Sequence, residues 1–226
     1  MLELKIDLHV HTNHSDSVSS MKEVLDSAKT KKLDGIAVTD HDTMAALDDP
    51  LICNHDLIVI PGVEVQTCEG HLLVLGLKKS PPKGFNAIEV AEFARKKGSV
   101  VIIAHPNVPF RSFSEDVIRR IRPDAIETYN ALTPFSPWMI RRNVALAQKL
   151  RFPQTGGSDS HMHQTVGDMY TLVNAASRAV QDILEAIRIG NVRPAGKPPQ
   201  FWEKPVWLAN LIRYRICKVS SVYKNV

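Results

Sequence analysis

Apolar residues run along this chain in short, nearly continuous blocks, separated by stretches where they recur at spacings of three and four. The strand candidates are Leu4–Val10, Gly35–Thr39, Leu57–Ile60, Leu72–Leu77, Val100–Ala104, Ala125–Tyr129, Gln154–Gly157 and Met169–Val173, several of them such blocks. Such runs predict strands covered on both faces. The three-four spacing predicts helices over Ser20–Lys32, Asn86–Lys97, Ser114–Arg122, Pro137–Leu150 and Arg178–Ile189. Ser20 and Glu23 also have the spacing of a capping box, which marks a helix start. Strand–helix alternation implies an α/β fold with a mostly parallel sheet, either closed into a barrel or open and doubly wound. No GxGxxG or GxxxxGK[ST] stretch supports the open, nucleotide-binding form.

The pattern breaks once, at the Pro-rich Arg193–Pro205. Residues 1–192 therefore read as a catalytic barrel, and 193–226 as a Pro-rich connection and a basic tail. In the tail, Trp207, Leu208, Leu211, Ile212 and Ile216 fall at helical spacing. This predicts a terminal helix docked on the body; a helix for a membrane surface or a partner is the alternative.

Polar chemistry gathers where the apolar blocks stop. His9 and His11 alternate about Val10, with Asp16 in the following turn. "GIAVTDHDT" ends in His41, and "VIPGVEVQT" places Glu64 among apolar neighbours, where a carboxylate is costly unless paired or coordinating a cation. His71 heads a strand, His105 ends one, and "TGGSDSH" brings Asp159 and His161. In a parallel barrel such ends converge on one face, where active sites are built. Imidazole and carboxylate without thiolate suit Zn, Mn or Fe. Nine donors are too many for one ion, so two or three divalent ions are expected, with Glu64 able to bridge a pair. Clustered cations activate water and stabilise charge on attacking and leaving oxygens, which suits hydrolysis of a phosphate ester. Hydrolysis of a C–N bond is chemically open to the same residues.

The stretches "DLHVHTNHSD", "GIAVTDHDT", "PGVEV", "GHLLVLG", "IIAHP" and "GSDSH", in this order, resemble the PHP (polymerase and histidinol phosphatase) superfamily over about residues 4 to 190. The resemblance implies a distorted (β/α)7 barrel and a metal-dependent phosphoesterase that uses a metal-bound water. It further implies a first ion on His9, His11, Glu64 and Asp159. A second would share Glu64 with His71 and His105, and a third would sit with Asp16, His41 and His161. Because the loop reads "HSDS" where many members have Gly after the Asp, His14 is the alternative donor to Asp16. Arg111 and Asn130 are candidate substrate contacts, Asp7 and Asp40 candidate acceptors for ligand imidazoles. His163 and His55 read as surface residues.

Composition adds limits. The 226 residues are 44% hydrophobic, enough for one large core. No apolar run approaches the roughly 20 residues of a membrane span, and no leader is apparent. Three scattered cysteines read as reduced thiols, so a cytoplasmic location is expected. The net charge of +4 lies mainly in "RYRICKVSSVYKNV". A small phosphorylated metabolite or nucleotide is therefore the expected substrate. A nucleic acid, cut by a nuclease or end-processing phosphodiesterase, is the alternative.

Overall fold

The computed structural model describes residues 1–54, 56–107, 112–133 and 136–197. Arg111, His55 and the tail beyond residue 197 lie outside the described residues. Among the described residues nine strands form one sheet: β1 Leu2–Val10, β2 Gly35–Val38, β3 Ile58–Gln66, β4 His71–Leu75, β5 Val100–Ile103, β6 Ala125–Asn130, β7 Gln154–Gly157, β8 Met169–Ala175 and β9 Val192–Gly196. Five helices connect them: α1 Met21–Thr30, α2 Ala87–Lys96, α3 Glu115–Ile121, α4 Ser136–Leu150 and α5 Val180–Arg188. Ser20 and Glu23 make the reciprocal bonds of a capping box on α1, and Asn86 with Glu89 does the same for α2.

The sheet order is β7-β6-β5-β4-β3-β2-β1-β8-β9. β1–β2, β2–β3, β5–β6 and β6–β7 are parallel, whereas β3–β4, β4–β5, β1–β8 and β8–β9 are antiparallel. Seven of the nine strands share one direction, in line with the expected mostly parallel sheet, while β4 and β8 run against the rest. β4 follows β3 through residues 67–70, a connection too short for anything but an antiparallel return, whereas β8 lies between β1, from the start of the chain, and β9, which it reaches through α5. β9 lies inside the segment read as a Pro-rich connection, so the sheet runs past residue 192. Alternation could not reveal it, because "VRPAG" carries only half-buried or exposed residues.

The interior of this nearly closed barrel holds Leu4, Ile6, Leu8, Ile60, Leu73 and Ile102, packed against Ile183, Leu184 and Ile187 of α5. Outside, α1 buries Val24 and Leu25 on Ile36 and Val38, and α2 buries Val90 and Ala94 on the β4–β5 side. The open edge closes near the ends of β1 and β7, where the His11 N–H donates to Ser160 O (3.0 Å) and the Asp159 N–H to His9 O (2.8 Å). That closure joins two segments about 150 residues apart and sets the mouth of the barrel.

Candidate metal centre

β1 cannot be a regular strand if both its apolar residues and its histidines face inward. Leu4, Ile6 and Leu8 point into the barrel, and Val10 packs outside with α1. A register shift between Asp7 and Val10 resolves this: three steps on β1 match two on β2. The extra residue is a β-bulge, which re-aims the following side chains. His9 and His11 thereby turn inward above the apolar floor. A second shift, between Glu127 and Tyr129, does the same for β6 and brings Glu127 and Asn130 into one site.

The reversal of β4 explains His71. At the N-terminal end of a parallel strand it would lie at the far end of the barrel. Running antiparallel, it pairs with Gln66 at the end of β3 and places its Nδ1 2.7 Å from Glu64 Oε1. His105 and Asp159 follow β5 and β7 in left-handed backbone, φ 28° and 52°. Non-glycine residues hold that conformation at a cost of about 1–3 kcal/mol, and such strain gathers at functional sites.

All nine donors converge. His9 Nε2 lies 3.1 Å from His11 Nε2, 3.1 Å from Glu64 Oε2 and 3.4 Å from Asp159 Oδ1. His11 Nε2 is 3.2 Å from both carboxylates. Glu64 Oε2 also meets His41 Nδ1 at 3.1 Å, and its Oε1 meets His105 Nε2 at 3.1 Å. Asp16 Oδ1 sits 3.1 Å from His161 Nε2 and 3.9 Å from His41 Nε2. Three overlapping groups have mutual spacings suited to an ion: His9, His11, Glu64 and Asp159; His11, Asp16, His41 and His161; and His41, Glu64 and His71. The third group holds His41 with Glu64 and His71, where the resemblance implies His105; His105 Nε2 lies 3.1 Å from Glu64 Oε1 and 4.0 Å from Asp159 Oδ2. His14 is exposed and takes no part.

The donor set fits divalent ions. Neighbouring ligands of a tetrahedral centre with bonds of about 2.0–2.1 Å stand roughly 3.3 Å apart, and the first group has five such edges between 3.1 and 3.4 Å. The buried His11 Nδ1 and His105 Nδ1 have no hydrogen-bonding partner among the described residues. Five imidazole nitrogens meet the one Glu64 carboxylate, more than its roughly four lone-pair positions accept. Positive charge is drawn in accordingly. Burial opposes the charged form of His9, yet Asp159, Glu127 and Glu64 outweigh it and hold its pKa well above the usual value. His11 is raised to about 9 against its own burial, by Asp159 and Glu64. Glu64 and Asp159 are held well below the carboxylate range, because His9 and the surrounding imidazoles outweigh the cost of burial. His41 is lowered to about 4, chiefly by burial, which leaves it neutral with one ring nitrogen able to bind a cation.

Other expected roles change. Asp40 accepts from the Thr12 N–H and hydroxyl, both at 2.7 Å, and from Ser15 Oγ at 2.6 Å; it braces the first loop. Asp7 accepts the backbone N–H groups of His9, Ser158 and Gly167. Neither holds an imidazole, because both point away from the cluster toward backbone that needs an acceptor. Asn130 is buried, donating to Glu127 and Asp159 while its carbonyl accepts from Thr133, so its amide is engaged within the protein. His163 bonds Ser19 outside the cluster. Glu127, which went unnoticed, accepts from His9 Nδ1 at 3.0 Å. Its signal in "AIETY" was the one Glu64 gave, an acid inside an apolar strand.

β7 reaches this cluster only through glycine. A Cβ on Gly157 would collide with His9 Cβ and lie 2.7 Å from Glu127 Oε1. Gly157→Ala should therefore displace His9 and cost about 1–3 kcal/mol by overpacking, read as a lower denaturation midpoint together with reduced metal content.

A barrel that gathers imidazoles and carboxylates at one mouth is the architecture of a metal-dependent hydrolase. Comparison with known proteins narrows the class. The PHP domain model matches residues 7–131, and a PHP-associated model matches residues 140–192. The uncharacterized protein MJ1587 of Methanocaldococcus jannaschii is 31% identical over 141 residues, 57% of this chain and 82% of that protein. A 5'-3' exoribonuclease of Haemophilus influenzae is 34% identical over 104 residues, 43% of this chain and 38% of that enzyme. A two-domain protein from Bacteroides vulgatus, containing a predicted PHP-like metal-dependent phosphoesterase, shares the fold with a TM-score of 0.74 at 19% identity, over 87% of this chain and 65% of that one. The chain belongs to the PHP family.

Proposed function

We propose that this PHP-family phosphoesterase hydrolyses a phosphate ester of a small metabolite or nucleotide, on two or three divalent ions held by the nine converging donors. The observation that carries the reading is Glu64, a fully buried carboxylate whose two oxygens are each shared by several imidazoles. Divalent ions there would lower the pKa of a water and neutralise phosphate oxygens. His9, His11, Glu64 and Asp159 make the deep position, closed from solvent by the apolar floor. His41 and Asp16 have partly exposed side chains, 18% and 27%, and so mark the side from which substrate enters. Zinc, manganese and iron all suit the donor chemistry.

The test is phosphate release from sugar phosphates, nucleotides and an aryl phosphate by protein reconstituted with each metal. Turnover should appear with at least one metal and disappear with a chelator. No release from any substrate under any metal would overturn the reading. A second reading, a nucleic-acid phosphodiesterase, is favoured by the similarity to the exoribonuclease. It predicts binding to short oligonucleotides that weakens steeply with salt, and that weakens further on deleting the residues after Pro205.

A further inference from the structure

We propose that Glu127 is the positioning carboxylate of this metal centre, setting the proton on His9 and the placement of His105 and Asp159 from a single strand. This inference rests on the metal-centre reading above and deepens it. Oε1 of Glu127 accepts from His9 Nδ1 at 3.0 Å. Oε2 accepts from the His105 backbone N–H at 3.0 Å and from Asn130 Nδ2 at 2.9 Å. The same Asn130 nitrogen donates to Asp159 Oδ2 at 3.1 Å. One buried carboxylate thus reaches three of the donors by three different routes.

Each contact has a consequence for the ligand atoms. An ionised carboxylate only accepts hydrogen bonds. Its Oε1 therefore keeps a proton on His9 Nδ1, so that Nε2, facing Glu64, His11 and Asp159, is the nitrogen that would give up its proton to an ion. The bond to the His105 N–H secures a residue whose backbone sits in the strained left-handed region. The bond through Asn130 fixes one oxygen of Asp159 and leaves Oδ1 turned toward His9 and His11. Among the described residues His11 and His105 have no acceptor at Nδ1, so His9 is held differently from these neighbours. Space is matched too, since Gly157 leaves room for Oε1 where any Cβ would press on it.

Glu127→Gln separates this role from mere space filling. The amide keeps the volume but has one accepting oxygen. If that oxygen serves the His105 and Asn130 donors, the new NH₂ faces His9 Nδ1 and forces the proton to Nε2, where the ligand lone pair should be. If it serves His9, the NH₂ meets two other donors and expels them. The measurement is zinc affinity of the full chain by chelator competition, with NMR of isotope-labelled histidine in the zinc-loaded protein. Wild type should bind zinc and show a protonated His9 Nδ1 beside a ligated Nε2. Glu127→Gln should bind about 10–100-fold more weakly and lose that signature. Equal affinity with the same His9 proton overturns the role of Glu127 and leaves the metal centre standing. A wild type that binds no zinc, manganese or iron overturns the metal centre itself. Should the glutamine variant fail to fold, Glu127→Asp decides, because it keeps an accepting carboxylate one methylene short. It should retain the His9 Nδ1 proton while weakening zinc, and loss of neither or of both refutes the assignment.

Discussion

Replacing His9 or Asp159 by alanine should empty the deepest metal position and lower phosphate release by about a thousandfold or more. Both residues belong to the one group in which every donor is buried. Removing either leaves three donors. Charge stabilisation by a bound cation is worth several kcal/mol, and each 1.36 kcal/mol is a factor of ten in rate. The loss should appear in both metal content and turnover. Elemental analysis of the purified variants, beside phosphate release at saturating metal, checks it. His163→Ala is the matched control: it removes an imidazole that bonds Ser19 outside the cluster, so both readouts should stay near wild type. Retained metal and rate in the His9 variant would show that the cluster is only a hydrogen-bonded core. Glu64→Gln should cost at least one further ion, because its two oxygens serve different imidazole sets.

The largest stability loss is expected at Asp7, which never approaches the proposed metals. It is fully buried and accepts N–H groups from His9 at 3.2 Å, Ser158 at 2.9 Å and Gly167 at 2.8 Å. Those bonds tie the bulged end of β1 to both ends of the β7–β8 connection, where the barrel closes. Burial raises the Asp7 carboxyl to about 6, against the pull of its donors, so holding its charge inside already carries a cost. Asp7→Ala removes that cost but orphans three buried N–H groups at about 1–3 kcal/mol each. The donors win, and the net loss should be about 4 kcal/mol. For a chain of this size that lowers the midpoint by about 10 °C. Thermal unfolding of metal-free wild type and variant measures it without interference from bound ions. An unchanged midpoint would mean that water replaces the carboxylate and that the closure is held elsewhere.

Much of the fold was readable before any coordinates. Four helices fall within the stretches their spacing marks and α4 begins one residue earlier, and Ser20, Asn86 and Ser114 cap three of them by side-chain bonds to the first turn. These are local effects, fixed by residues three or four apart. The apolar blocks likewise locate eight strands, because a strand buried on both faces needs little besides apolar side chains. The directions of β4 and β8 were not readable, since strand composition does not record which way a neighbour runs.

Sequence alone determined the chemistry on offer: six histidines and three acids beside the ends of apolar runs, too concentrated for loop polarity. It could also place each near a strand terminus. Only the tertiary structure decided which of them share a pocket. The bulge in β1 turns His9 and His11 inward where strict alternation from Leu4 would turn them out. The reversal of β4 carries His71 to the end of the barrel where Glu64 lies, and the bulge in β6 sets Glu127 and Asn130, three residues apart, on the same face. Bulges and strand direction arise from pairing between segments far apart in the chain. A periodicity read within one segment carries no record of its partner.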